Sequence, residues 1–496
     1  MNKLLKISSM IMLGAAVLFT GCKSDDDDEK TYTVTLNVED STMGTVVGDG
    51  EYTEGMEISI VATAKKGYHF TKWSDGNTSN PRTLIVNKSI SLIAFFAEGE
   101  SGNGGGNATD PVSIDGGEIN ENTVWKDLGL PVDYIINDGI RLNGNALVTI
   151  EPGVTIMFAN NNGGIFVGEN AGLKAVGTEE KPIVFTGPTN NQNTGSWGSI
   201  KITSKRNDNA LEYVTFKNGG SDDGKWDAVI DIEGGKVSIK NCTIEGSLSH
   251  GILLESSAKL TAFEGNKISK CEAYPIYIED AASVLSLEDT NNTFASNNKH
   301  NVVGISGAGI SNTEKNTLKA LSIPYYFEEG LHLNDAQTFT IEPGTILKLG
   351  AGKFINIEED VTFIAKGTAT AHIVFDGYEE EAGYWEGIHY NSKKANSTLS
   401  YCDLKNGGYG ESDEWHAALI SINDNNSKGT IENCTFSNSQ NYGICIYNID
   451  ETTVAISGDS YKSCAEGNVI HWSNYEEKIN ERQTFENAEA LKKAIE

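Results

Sequence analysis

The sequence predicts an all-β protein: a small β module, then a long solenoid of short parallel strands duplicated in tandem, closed by a short C-terminal helix. Three observations predict it. "TIEPG" is spelled from Thr149 to Gly153 and again from Thr340 to Gly344, 191 residues further on. Short apolar strands recur after each copy and stop at Gly, Asn or Pro, as in "VTIMFA", "GIFVG", "GLKAVG" and "PIVFTG". No helical periodicity intervenes to build crossover units, and strands this short cannot bury a face alone. Stacking each turn of chain on the next solves that problem, because inward residues then pile into one continuous core.

The first residues stand outside this fold. Lys3 and Lys6 precede an apolar run from Ile7 to Phe19, too short to span a membrane and suited to a signal-peptide core. The run ends "LFTGC", which resembles the lipobox of bacterial lipoproteins and implies removal of residues 1–21 and lipidation of Cys22. The following "KSDDDDE" resembles the acidic tag that sends some lipoproteins of anaerobic Gram-negative bacteria to the cell surface. Residues 22–30 are then a lipidated acidic tether on the outer membrane, exposed to the outside.

From Thr31 to Glu98 the text alternates as strands do: "TYTVTLNVE", "ISIVATA", "TLIVNKSISLIAFF". With "GYHFTKWSDG" and the closing "AFF", this segment resembles the divergent InlB-type B-repeat, which implies a spacer or stalk. Trp73 and Tyr68 are expected in its core rather than on a sugar platform. Residues 99–116, "GESGNGGGNATDPVSIDG", carry almost no apolar side chains and are expected to be a flexible linker.

The solenoid follows over 117–496, with copies at about 123–310 and 317–475. "GSWGSIKI" answers "GYWEGIHY", "LEYVTFKNGG" answers "LSYCDLKNGG", and "NCTIEGSLSHGILL" answers "NCTFSNSQNYGICI". Trp197 and Trp385 are 188 apart, Trp226 and Trp415 are 189, and Cys242 and Cys434 are 192, so the offset hardly drifts and chance is excluded. The Asn of each "KNGG" suits a corner that needs left-handed backbone angles. "TIEPGVTI", "GSWGSI" and "VTFKNGG" resemble the right-handed parallel β-helix family, and the handedness is implied by that resemblance. At about 4.8 Å per coil the rod is expected to be on the order of 70 Å long. "RQTFENAEALKKAIE" places Phe485, Ala488, Leu491 and Ile495 on one helical side, a cap over the last open edge.

Composition narrows function. A net charge of −31 argues against nucleic acid, which needs clustered Lys and Arg. Cys242 and Cys434 alternate with apolar neighbours and are expected as core thiols, with a Cys402–Cys434 disulfide open in an oxidising compartment. No zinc spacing occurs. The family resemblance spans lyases, hydrolases and non-catalytic surface proteins, so fold alone settles nothing. The only arginines are Arg82, Arg141, Arg206 and Arg482, and none pairs as a polyuronate lyase requires. His250 in "SHGILL" is faintly similar to a galacturonan-hydrolase histidine, but Tyr442 replaces it in the second copy, so a surface or corner role is expected.

The feature singled out is a loop kept in both copies. "SDDGKWDA" supplies Asp222, Asp223, Trp226 and Asp227, and "YGESDEWHA" supplies Glu411, Asp413, Glu414, Trp415 and His416. Read as a site, an exposed indole stacks on a sugar while carboxylates accept from its hydroxyls. Read as structure, the indole folds back over the coil and the acids form a solvated rim. A calcium ion on Asp222, Asp223 and Asp227 is the variant weighed; no other cofactor is expected. Trp197 and Trp385 are expected to be structural. The expected function is non-catalytic binding of a carbohydrate or surface polymer by a monomer on a lipid anchor. The alternative is a polysaccharide lyase or glycoside hydrolase, and an adhesive structural role is the third class.

Overall fold

The computed structural model describes residues 30–495 apart from 66–67, 81, 99–109, 189–192, 222–226, 289, 312–315, 412–413, 415, 423–425, 448–452 and 473–482. Cys22 and the segment before residue 30 therefore lie outside the described residues.

The N-terminal module is two small sheets. Thr31–Val38 and Ile90–Glu98 pair in parallel at the centre of one, flanked by antiparallel Gly50–Thr53 and Tyr68–Trp73. Gly44–Val47, Met56–Ala64 and Arg82–Val86 form the other. Trp73 is fully buried beside Phe70 and its indole N–H donates to the Ser79 carbonyl at 2.9 Å, so its role is packing. Val61 is also buried, but it points away from that core. It packs on Val132, Ile135 and Met157 of the solenoid.

From Val112 onward the chain winds round three faces, named here A, B and C in the order it visits them. The first strand, Val112–Ile114, falls inside the stretch that composition marked as linker. Its backbone pairs with Tyr134–Ile136, and that pairing outweighs a sparse apolar content. Only face B runs the whole length, as one sheet of 14 parallel strands from Gly117–Ile119 to Ser460–Cys464. Thirteen spacings of about 4.8 Å make it roughly 60 Å long. Faces A and C are each split into a lower and an upper sheet.

Inward residues stack rung on rung. Along face B one column reads Ile140, Ile165, Ile200, Ile230, Ile252, Ile276, Val303, Tyr325 and Leu347, each no more than 2% exposed. Burying each such side chain contributes about 1.5–3 kcal/mol relative to exposure, so the column is a large part of what holds the rod together. Corners are turned at left-handed residues in matching places of the two copies: Asn218 and Asn406 at φ 58° and 61°, Asn241 and Asn433 at 52° and 55°. Trp197 and Trp385 are wholly buried and donate from Nε1 to the carbonyls of Lys217 and Lys405 at 2.7 and 2.9 Å. Cys242, Cys402 and Cys434 are buried free thiols, and Cys402 Sγ donates to the Ala365 carbonyl rather than bridging to Cys434.

The top is closed by Gln483–Phe485, which pairs antiparallel to Gly467–Trp472, and by the helix Ala488–Ile495. Eight residues are too few for a stable free helix. Leu491, 1% exposed in the solenoid core, fastens it there.

One element changes the geometry of the duplication. The 3-10 helix Ala281–Ser286, capped by Asp280, stands on face C between Lys259–Glu264 below and Gly309–Ile310 above. The first "TIEPG" strand, Leu147–Ile150, lies on face C, whereas the second, Thr338–Ile341, lies on face A. The second copy thus sits one face further round the rod than the first.

Candidate functional site

That rotation separates the two loops singled out from sequence. Ser221–Ala228 joins face A to face B, while Tyr409–Ala417 joins face B to face C. They stand at opposite edges of face B, seven strand spacings or roughly 34 Å apart along the axis. Asp222, Asp223, Trp226, Asp413 and Trp415 lie outside the described residues. Of the rest, the Asp227 carbonyl accepts from the His250 amide at 3.1 Å. Glu414 Oε2 accepts from the Glu411 amide at 3.0 Å and stands 3.4 Å from His416 Nε2. The His416 ring is 5.9 Å from that of His389. No group of three or more metal-ligating side chains occurs among the described residues.

Between the loops, the outward column of face B is built differently from its inward one. It reads Arg141, Phe166, Lys201, Asp231, Leu253, Tyr277, Gly304, Tyr326, Lys348, Asp376. Two ion pairs bracket an aromatic centre. Lys201 Nζ lies 2.9 Å from Asp231, 3.0 Å from Glu233 and 3.6 Å from Glu255. Asp376 takes Lys348 at 3.5 Å and Lys405 at 3.2 Å, and accepts from Asn406 Nδ2 at 2.6 Å. Burial pushes the Asp231 carboxyl up to about 7, with the Lys201 ammonium opposing it.

In the centre, His250 lies flat on Tyr277 with ring centroids 4.5 Å apart, and Tyr274 lies 5.2 Å from Tyr277 and 4.7 Å from His300. His300 Nδ1 and the Tyr378 hydroxyl are 3.0 Å apart, and Tyr378 packs 4.1 Å from Tyr326. Gly304 makes the arrangement possible. A Cβ there would stand 2.7 Å from the Tyr277 ring and 2.9 Å from Tyr274, so only glycine lets both rings lie across the strand. Glu328 locks them, one carboxylate oxygen accepting from Tyr274 and the other from Tyr277, each at 2.9 Å. The rings are half-buried, each leaving part of its surface to solvent. Burial and then Glu328 push the Tyr277 phenol up to about 12, so it remains a donor at neutral pH. Burial pulls His250 down to about 4, so its imidazole is neutral there.

The strip continues through Tyr384 into a shallow hollow of about 320 Å³, also lined by Gly352, Glu381 and Tyr409. Tyr409, half exposed, opens the second loop.

Sequence reasoning placed His250 at a surface or corner and overlooked Tyr274, Tyr277, His300, Tyr326, Glu328 and Tyr378. The signal present was local: "IYI" and "YYF" put a tyrosine at the outward position of a strand whose neighbours face in.

Set against known families, the module matches the divergent InlB B-repeat domain over residues 33–100. The solenoid matches the pectate-lyase like beta helix domain over residues 117–225 and the right handed beta helix region over residues 228–481. The chain belongs to the right-handed β-helix family, preceded by a B-repeat module. No curated protein and no solved structure matches it. A pectate-lyase-like β-helix supports an extracellular surface protein, either binding or glycan-acting.

Proposed function

We propose that the protein binds an extended polysaccharide along face B without cleaving it, held at the outer membrane surface as a monomer by lipid on Cys22. The observation that carries this is the strip of half-buried rings from His250 to Tyr384 running along the rod axis. Rings offer flat apolar faces to pyranose units, and their hydroxyls, held by Glu328, fix orientation. Coils repeat about every 4.8 Å, which sets the rings at successive heights along the rod. Trp226 and Trp415, on the loops kept in both copies, are proposed as further sugar contacts.

A hydrolase needs an acid that reaches the glycosidic oxygen. Asp231 has the raised affinity for its proton that an acid requires, but it is 2% exposed beneath Lys201, which favours binding over cleavage. The test is retention of the purified protein on a glycan array, with reducing ends and unsaturated-sugar absorbance followed in parallel. Tyr277→Ala and Tyr326→Ala are expected to weaken retention at least tenfold, about 1.4 kcal/mol each. Unchanged retention in both rules out the strip, and product release rules out a purely binding role. EDTA is expected to change nothing, whereas loss of binding would favour calcium at Asp222, Asp223 and Asp227. Acyl labelling lost in Cys22→Ala checks the anchor.

A further inference from the structure

The charges around the rings are mostly of one sign, and that carries a step which rests on the binding role above. We propose that the face-B strip selects a neutral, linear polysaccharide and rejects polyuronates, with Glu328 as the residue that sets both the pose of the rings and the sign of the field over them.

The geometry is specific. Glu328 places a carboxylate between the coils that carry Tyr274, Tyr277 and Tyr326, and both its oxygens are occupied by phenol donors. The further charges acting on these and the neighbouring rings are Glu279 at Tyr277, Glu379 at Tyr378, and Glu379 with Glu381 at Tyr384, while Glu329 at Tyr326 is offset by its ion pair with Lys353. The cations nearby are already engaged with carboxylates or backbone carbonyls. Lys201 is shared by three carboxylates, and Lys348 faces Asp376 and the carbonyls of Gly377 and Tyr378 at 3.2 and 3.3 Å. Lys299 acts on the strip at His300.

A polyuronate laid along the axis would bring one carboxylate per sugar unit, and those over Glu328 would meet a field of their own sign. Like-charge juxtaposition is costly and screened by salt. A neutral chain suffers none of this, and its hydroxyls can donate to the same carboxylates. Linearity follows from the direction of the strip, whose rings succeed one another along the rod axis across the bare Gly304.

The experiment is titration calorimetry of the full chain against mannan, xylan and linear glucans, and against polygalacturonate and alginate, at low and high salt. At least one neutral polymer is expected to bind tenfold or more tightly than either uronate at low salt, the gap narrowing at high salt. Glu328→Gln is expected to narrow it at low salt, with far-UV circular dichroism confirming the fold. The salt series on the unaltered protein tests the same point without any variant. Uronates binding as tightly as neutral chains, yet losing affinity in Tyr277→Ala, would remove the selectivity and leave the strip standing. Glycan binding indifferent to Tyr277→Ala would remove the strip as well. A lysine-rich peptide binding more tightly than every neutral glycan would overturn the proposal in favour of a protein ligand.

Discussion

Gly219 lies beneath the indole of Trp197: a Cβ on that glycine would stand 2.6 Å from Cε2. The second copy repeats the contact, with Gly407 beneath Trp385 at 2.7 Å from Nε1. The first glycine of each "KNGG" is therefore an accommodation of the tryptophan about 20 residues earlier. Gly219→Ala and Gly407→Ala are each expected to cost about 1–3 kcal/mol, the range for overpacking a filled core. Urea midpoints measure it, and an unchanged midpoint in both would show that the indoles can shift.

Asp231 and His250 lie on neighbouring strands of face B and are expected to oppose each other in pH dependence. Burial raises Asp231 from 3.8 to about 7, so its contribution is full below pH 3.8 and is lost as pH rises through 7. Burial lowers His250 from 6.5 to about 4, so its contribution is full above pH 6.5 and is lost as pH falls through 4. Asp231→Asn should remove the loss on the alkaline side, and His250→Phe the loss on the acid side. Each is expected to be worth up to a few kcal/mol, since every tenfold change in proton affinity is about 1.36 kcal/mol. Denaturation midpoints from pH 4 to 8 read both, and parallel profiles in variant and parent would refute the assignment.

Val61 joins the module to the solenoid through Val132, Ile135 and Met157, with Asn80 Nδ2 donating to Asp110 Oδ1 at 2.9 Å beside it. A stalk resemblance suggests free articulation, and this small apolar contact opposes it. Val61→Lys should bury an unpaired ammonium or release the module. Small-angle scattering should then show a larger maximum dimension with the solenoid's melting unchanged. The same dimension in parent and variant would mean the contact is dispensable.

The buried thiols should be inert. Burial pushes Cys242 and Cys271 up to about 12, and Cys464, partly exposed, to about 11. A thiol-selective alkylating reagent at pH 8 is expected to reach Cys464 first and Cys242 only on unfolding, because the thiolate is the reactive form. Peptide mass mapping checks the order. Early labelling of Cys242 would show that the coils open locally.

Much of this molecule was legible in the chain alone. Repeated strands ending at Gly and Asn, and an offset near 190, specify a duplicated solenoid, because strands of three to six residues have no other way to bury their apolar side. Local patterns also placed the corner asparagines Asn218 and Asn406, the two buried tryptophans and a capping helix, although Phe485, read as one of its apolar positions, lies in the strand before it, held there by pairing with Val469. These depend on neighbours a few residues away, or on a repeat visible by alignment of the chain with itself.

What the sequence could not determine was which faces meet. Whether "AASVLS" counts as a rung depends on how Ala281–Ser286 packs between two coils, and that one element rotates the second copy by a face. The rotation sends the two acidic loops to opposite edges and makes face B a composite of both copies. It also gathers Tyr274, Tyr277, His300, Tyr326 and Tyr378, spread over about a hundred residues of chain, into one strip. Backbone pairing between coils sets that proximity, and strand register is a property of the stacked whole rather than of any segment.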